Sequence, residues 1–190
     1  MSGEHISHEL SHGLGRVLFT EEEIRRRVQE LGAQISRDYA GLNPLLVGVL
    51  KGVVFFMSDL LRTITVPVRV DYMAISRYAS QPAVKGSVRL IKDLEESVEG
   101  QHVLFVEDVI DTGLTLGYLL RVLRARGPAS LQVCTLFDRP QRRIAEIPLR
   151  YVGFTLPDRF VVGYGLDYRE AYRHLPYVAE LKTEVLRGGA

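Results

Sequence analysis

Apolar and polar positions follow two rhythms along this chain. Ile24, Val28, Leu31 and Ile35 recur at three- and four-residue steps, the spacing that places side chains on one face of a helix. Thr20 and Glu23 form a capping box ahead of that run, so an amphipathic first helix is predicted there. Asn43-Pro44 marks a turn. Leu45 to Leu50 is a short apolar run of the kind a buried strand shows. Val53 to Ile64 returns to helical spacing, with Phe56, Leu60 and Ile64 on one face. Val66 to Ile75 has strand composition, and Pro67 near its beginning suits an edge or a first position. Ser76 to Lys85 is polar, lacks a period and contains Pro82, so it reads as a loop. Gly86 to Ile91 reads as the return strand of a hairpin.

The second half repeats the alternation. A strand from His102 to Asp108 is followed by a helix from Leu114 to about Arg126, which Gly127-Pro128 stops. Leu131 to Phe137 is another apolar strand, broken by Asp138-Arg139-Pro140. Tyr151 to Thr155 and Phe160 to Gly163 read as short strands flanking Pro157-Asp158, and Leu166 to Leu181 is mixed. Residues 1–15 read as a flexible arm. Its His5, His8 and His12 have a spacing that could clip a metal, but no Cys or carboxylate framework accompanies them, and a solvated tail is the preferred reading. Strands alternating with helices predict an α/β domain over residues 1–190, with a mostly parallel, twisted sheet flanked by helices. Ligands of such sheets bind at the carboxyl ends of strands. Lys51, Asp108, Arg139 and, more loosely, Asp167 fall at such ends and are expected to line one crevice.

Composition narrows the partners. Apolar residues make up 46% and charged residues 25% of the 190, ordinary values for a globular domain. The net charge of +1 gives no pull toward nucleic acid, which is therefore not an expected partner. The single Cys, Cys134, sits in an apolar run; a buried inert thiol and a reducing cytoplasm are expected. No apolar run approaches transmembrane length, so no membrane is expected. The segment from Met1 to Gly15 lacks the hydrophobic stretch of a secretory leader.

The most specific chemistry lies between Val103 and Thr115. Four apolar residues end in Glu107 and Asp108, then Val109-Ile110, Asp111, and the turn Thr112-Gly113-Leu114-Thr115 ahead of a helix. Free backbone N–H groups and the helix dipole make such a turn an anion site, and the two threonine hydroxyls add donors. A nucleoside-triphosphate loop would carry a Lys here. The neighbours are instead carboxylates, which accept hydrogen bonds from sugar hydroxyls or hold Mg²⁺. One phosphate beside a diol, as in a ribose 5-phosphate, fits that combination. An acidic strand end before a helix N-cap is the plainer reading of each residue taken singly.

This ordered set resembles the signature of the type I phosphoribosyltransferases, and the chain from about Thr20 to about Leu181 is similar to the hypoxanthine-guanine branch. The resemblance implies the type I phosphoribosyltransferase fold: a core domain plus a small hood built from chain-terminal segments, including about residues 140–190. It implies Mg²⁺-dependent transfer of the 5-phosphoribosyl group from phosphoribosyl pyrophosphate to a 6-oxopurine, hypoxanthine or guanine, by a homodimer or homotetramer. Same-fold enzymes taking xanthine, adenine or uracil are the nearest alternatives. The segment Gly165-Leu166-Asp167-Tyr168 after Phe160-Val161-Val162-Gly163-Tyr164 argues against adenine and uracil. A regulator that kept the fold and binds RNA is the alternative of another class.

The same resemblance assigns roles. Glu107 and Asp108 would meet the ribose hydroxyls directly or through Mg²⁺. Adjacent on a strand, they point to opposite sides, so one is expected to touch the sugar and the other to pair with an Arg or an amide. Asp111 would lie beneath the purine near N7 and take its proton, or would only orient the base or cap the turn. Thr112, Gly113, Leu114 and Thr115 would cradle the 5-phosphate. Lys51-Gly52 resembles the pyrophosphate loop, where relatives hold a cis peptide before the Gly. Ser76, Arg77 and Tyr78 match a lid, with Arg77 where a Ser is usual. Arg139 replaces a usual Lys that donates to the oxygen at purine C6; otherwise it would be a surface partner of Asp138. Phe160 would stack on the base, or be a core aromatic, and the Val161 backbone would meet its Watson–Crick edge. Asp167, also next to the base, would ligate a Mg²⁺ that holds the pyrophosphate, making Glu107, Asp108 and Asp167 the metal set. Arg173 would clamp the pyrophosphate.

Overall fold

In the computed structural model, residues 12–77 and 88–187 are described. The chain forms β1 (Leu14–Phe19), α1 (Glu21–Asp38), β2 (Leu45–Val49), α2 (Val53–Thr63), β3 (Arg69–Arg77), β4 (Val88–Lys92), β5 (His102–Ile110), α3 (Leu114–Arg124), β6 (Ser130–Asp138), a 3₁₀ turn (Pro140–Arg142), β7 (Tyr151–Thr155), β8 (Val161–Val162), β9 (Val178–Leu181) and α4 (Thr183–Arg187). The α1 N-terminus is the capping box read from the sequence: the Glu23 amide donates to the Thr20 hydroxyl, and the Glu23 carboxylate accepts from the Thr20 amide. Such a cap contributes about 1 kcal/mol. Ile24, Val28, Leu31 and Ile35 are all buried, as their spacing requires.

Six strands make the main sheet in the order β4-β3-β2-β5-β6-β7. All neighbours are parallel except the β3–β4 hairpin. The α/β reading therefore holds. From β2 the chain crosses through α2 to β3 on one side. From β5 it crosses through α3 to β6 on the other. The direction of winding reverses between β2 and β5, and ligands of open α/β sheets bind at that switch point. Two apolar layers hold the sheet. One includes residues of α1 and α2 on one face; the other includes those of α3 on the opposite face. Each fully buried Leu, Ile or Phe contributes roughly 1.5–3 kcal/mol. Cys134 lies in the first layer, and burial pushes its thiol well above the ordinary range. Among the described residues, no helix is long and apolar enough to cross a membrane.

A second sheet has three antiparallel strands in the order β1-β9-β8. It joins the two chain-terminal regions, with Leu14 opposite Leu181 and Phe19 opposite Val178.

Several expectations need correction. Leu14 and Gly15, placed in the loose arm, are the first residues of β1; the rest of that arm, His5 and His8 included, lies outside the described residues except His12 and Gly13. Of the segment assigned to the hood, Tyr151–Thr155 pairs with β6 and belongs to the main sheet. Ser76 and Arg77 do not open a loop: they continue β3, opposite Arg89 and Val88. Tyr78 lies outside the described residues. The motif strand runs two residues past Asp108, to Ile110, because the parallel ladder to β6 continues through Val109 and Ile110.

Candidate active site

The switch point opens into a cleft of about 660 Å³. Its floor is the end of β5, with Glu107, Asp108 and Asp111. One wall is the turn Thr112, Gly113 and Thr115. The other wall is Lys51-Gly52 after β2, with Asp167, Glu170 and Arg173 from the hairpin that precedes β9. Asp108 and Lys51 thus meet as the sequence reading expected. The sequence reading passed over Glu170, an exposed acid in a polar segment with no periodicity to mark it. Leu114, Ser76, Arg139, Phe160 and Val161 do not line this cleft.

The phosphate-type turn owes its shape to Gly113. It is the α3 N-cap, at φ +76°, a region that side chains other than Gly enter at a cost of about 1–2 kcal/mol. A Cβ there would also meet Ala145 O at 3.1 Å and Arg143 Cδ at 3.0 Å. The Thr112 carbonyl accepts from the Ile144 and Ala145 amides, which tie the turn to the segment after β6. Thr112 is not itself the cap; its hydroxyl accepts from the Leu114 amide at 3.4 Å.

Both acids of the Glu107-Asp108 pair line the cleft, although they alternate along β5. Among the described residues no Arg or amide pairs with Glu107. Its carboxyl is pushed well up by burial and by the neighbouring Asp108. Burial also raises Asp108, from 3.8 to about 6, against the opposing pull of the Val109 amide and Arg173. A raised carboxyl binds its proton more tightly in the folded state. Stability therefore falls as pH rises from about 4 to about 6, and the loss, on the order of 2–3 kcal/mol, persists above. Asp108→Asn is expected to raise the melting temperature of the free protein by several degrees at pH 7.5 and by about half as much at pH 5, while lowering activity. Thermal melts at the two pH values check this; an unchanged or lower Tm at pH 7.5 contradicts it.

At Gly52 the backbone approaches the acid so closely that a Cβ would lie 1.8 Å from Asp108 Oδ2 and 3.1 Å from Gly165 O. The cis peptide is the Leu50–Lys51 bond, one bond before Lys51–Gly52. Lys51 Nζ donates to Glu170 at 2.8 Å. Arg173 donates to the Gly165 carbonyl at 2.7 Å and pairs with Asp167 at 2.7 Å and Glu170 at 3.3 Å. Its buried Nε–H has no partner among the described residues.

Arg139 is not the surface partner of Asp138. It is only 6% exposed and pairs with Asp111 at 3.3 Å, while Asp138 pairs with Arg143. Arg139 Nε is also buried without a partner among the described residues. A second guanidinium, Arg142, stands 3.7 Å from the other Asp111 oxygen. Phe160 is 37% exposed rather than a core aromatic, and its ring meets Tyr168 edge-on at 5.6 Å. Val161 next to it is buried in β8 of the small sheet. Among the described residues no three His, Cys, Asp or Glu side chains converge as a ready-made metal cage, so Glu107, Asp108 and Asp167 do not form a single ligand set.

A parallel sheet whose switch point carries a hydroxyl- and amide-rich turn beside two carboxylates defines the phosphoribosyltransferase class. The sequence profile of the phosphoribosyl transferase domain matches residues 18–169. The hypoxanthine-guanine phosphoribosyltransferase of Bacillus subtilis is 47% identical over 93% of this chain and 98% of its own length, and that of Streptococcus agalactiae equally so. A solved hypoxanthine phosphoribosyltransferase of Staphylococcus aureus superposes with a TM-score of 0.89 at 46% identity, covering 95% of this chain and 98% of that one. This chain belongs to the hypoxanthine-guanine phosphoribosyltransferase family.

Proposed function

We propose that this protein transfers the 5-phosphoribosyl group from phosphoribosyl pyrophosphate to hypoxanthine or guanine, giving IMP or GMP and releasing pyrophosphate. It would thereby serve purine salvage. One observation carries the reading: a single-phosphate turn, two acids and a cluster of cations share one cleft. The turn from Thr112 to Thr115 takes the 5-phosphate through backbone amides and hydroxyls. Glu107 and Asp108 hold the ribose hydroxyls. Lys51, Gly52 and Arg173 receive the pyrophosphate as its charge grows at departure. The unpartnered Arg173 Nε–H supports that role, since a buried donor left unpaired in the free protein gains most from an incoming oxygen.

The base lies between Asp111 and the small sheet. Phe160, exposed beside β8, stacks on the purine, and the Val161 backbone meets its Watson–Crick edge. Arg139 donates to the C6 oxygen, and its own unpartnered Nε–H supports this. Asp111 takes the purine proton as the other ring nitrogen attacks the anomeric carbon. The small sheet acts as a hood over the base and excludes water from the reacting sugar.

Mg²⁺ prefers one or two carboxylates plus substrate oxygens to an all-protein cage. Asp167 at the mouth, and Glu107 or Asp108 at the sugar, would supply those carboxylates. Bound there, the ion would neutralise diphosphate charge. The buried Cys134 suits a cytoplasmic protein, and a homodimer or homotetramer is the expected assembly, to be measured by light scattering.

The test is a spectrophotometric assay with each purine separately, with and without Mg²⁺. Turnover with hypoxanthine and guanine, lost on chelation, is the expected result, with xanthine at most a secondary substrate. Preference for adenine would overturn the base assignment, and salt-sensitive RNA binding without turnover would overturn the enzyme reading.

A further inference from the structure

Glu170 sits where a bound diphosphate would be expected to find its counter-charges. Its carboxylate lies 2.8 Å from Lys51 Nζ and 3.3 Å from Arg173 Nη2. Both cations belong to the proposed pyrophosphate site, on which this inference rests. The position is an odd one for a Glu. Arg169 and Glu170 are consecutive left-handed residues at φ 52° and 65°, a region favoured by Gly and Asn. The backbone is held there by the Tyr168–Ala171 bridge and by the Glu170 amide, which donates to Asp167 at 3.0 Å. The side chain is 64% exposed, so core packing does not explain it.

We propose that Glu170 is a resident carboxylate that the diphosphate displaces from Lys51 and Arg173. It is a positioning residue. In the free protein it keeps the two cations aimed into the cleft and mutually neutralised. When phosphoribosyl pyrophosphate binds, the diphosphate oxygens take over both cations and the Glu170 side chain swings toward water. After transfer, the carboxylate competes with pyrophosphate for the same two groups and speeds its departure. Exposed ion pairs are weak in water, and both are exchanged for contacts to the diphosphate rather than left broken. That is a small barrier to entry and a useful aid to exit.

The closing experiment uses inorganic pyrophosphate with Mg²⁺ as probe, titrated calorimetrically into wild type, Glu170→Gln and Glu170→Asp. Glu170→Gln keeps the shape and removes the charge. It is expected to bind pyrophosphate about fivefold to tenfold more tightly, with kcat lowered and a burst of nucleotide preceding the steady state. Glu170→Asp, which keeps the charge, is expected to stay within about twofold of wild type. A purely structural role would predict the reverse, weaker binding in Glu170→Gln together with a lower Tm. Unchanged or weaker pyrophosphate binding by Glu170→Gln, with wild type active, overturns this inference alone. Failure of wild type itself to bind pyrophosphate overturns the site assignment and this inference with it.

Discussion

An Asp111→Asn enzyme is expected to turn over roughly 10²- to 10³-fold more slowly, within the span that general-base removal typically produces, while binding phosphoribosyl pyrophosphate within a few-fold of wild type. Asp111 lines the cleft just before the phosphate turn, and its carboxylate is about half exposed. Asn keeps that shape. It can still accept from Arg139, which stands 3.3 Å away, so the buried guanidinium is not abandoned. What the amide cannot do is take up the purine proton. The turn amides and the Glu107-Asp108 pair are untouched, which is why the loss belongs in kcat rather than in binding of the sugar phosphate. Steady-state kinetics beside a direct titration with phosphoribosyl pyrophosphate separate the two. Wild-type turnover in the variant would remove Asp111 from proton transfer and leave it an orienting role.

Gly52→Ala is expected to lower kcat/KM by more than 10²-fold. The added Cβ would fall 1.8 Å from Asp108 Oδ2 and 3.1 Å from Gly165 O. Neither neighbour can yield independently. Asp108 is held by the Val109 amide at 2.7 Å, and the Gly165 carbonyl is held by Arg173 at 2.7 Å. Relief therefore moves the Lys51-Gly52 loop, the acid or the hairpin by about an ångström or more. Misplacement on that scale commonly lowers rates about 100-fold. Far-ultraviolet circular dichroism should remain that of wild type, because the disturbance lies at strand ends. Near-normal kcat/KM would mean that the loop has room to spare.

Much of this arrangement was legible in the residues, and what was not has physical reasons. The Thr20–Glu23 cap and the β5-turn-α3 unit depend on neighbours within a few positions, so their patterns survive in one dimension. Strand β1 does not. Its Leu14-Gly15-Arg16-Val17-Leu18-Phe19 shows poor alternation, and its ladder is made with residues 178–181, so only long-range pairing defines it. The two residues of β8 are too few to carry a period. The burial of Arg139 is likewise invisible locally: a charged residue beside a Pro reads as surface until Asp111, far back in the chain, is brought beneath it. Glu170 was missed for the converse reason. An exposed acid is common, and only the folded hairpin sets it between Lys51 and Arg173. Thr112 to Thr115 were readable as a turn opening a helix, but that Gly113 supplies the cap was not.

Pairing of β1 with β9 also governs the order in which the protein becomes competent during synthesis. The strands that carry the Glu107-Asp108 pair and flank the Thr112–Thr115 turn have all emerged by residue 138, and their crossovers are short. The partner of β1 arrives only at residues 178–181. A nascent chain can thus present β2, β5 and β6 before the small sheet can form, and β1 waits for its partner until nearly the whole polypeptide has left the ribosome.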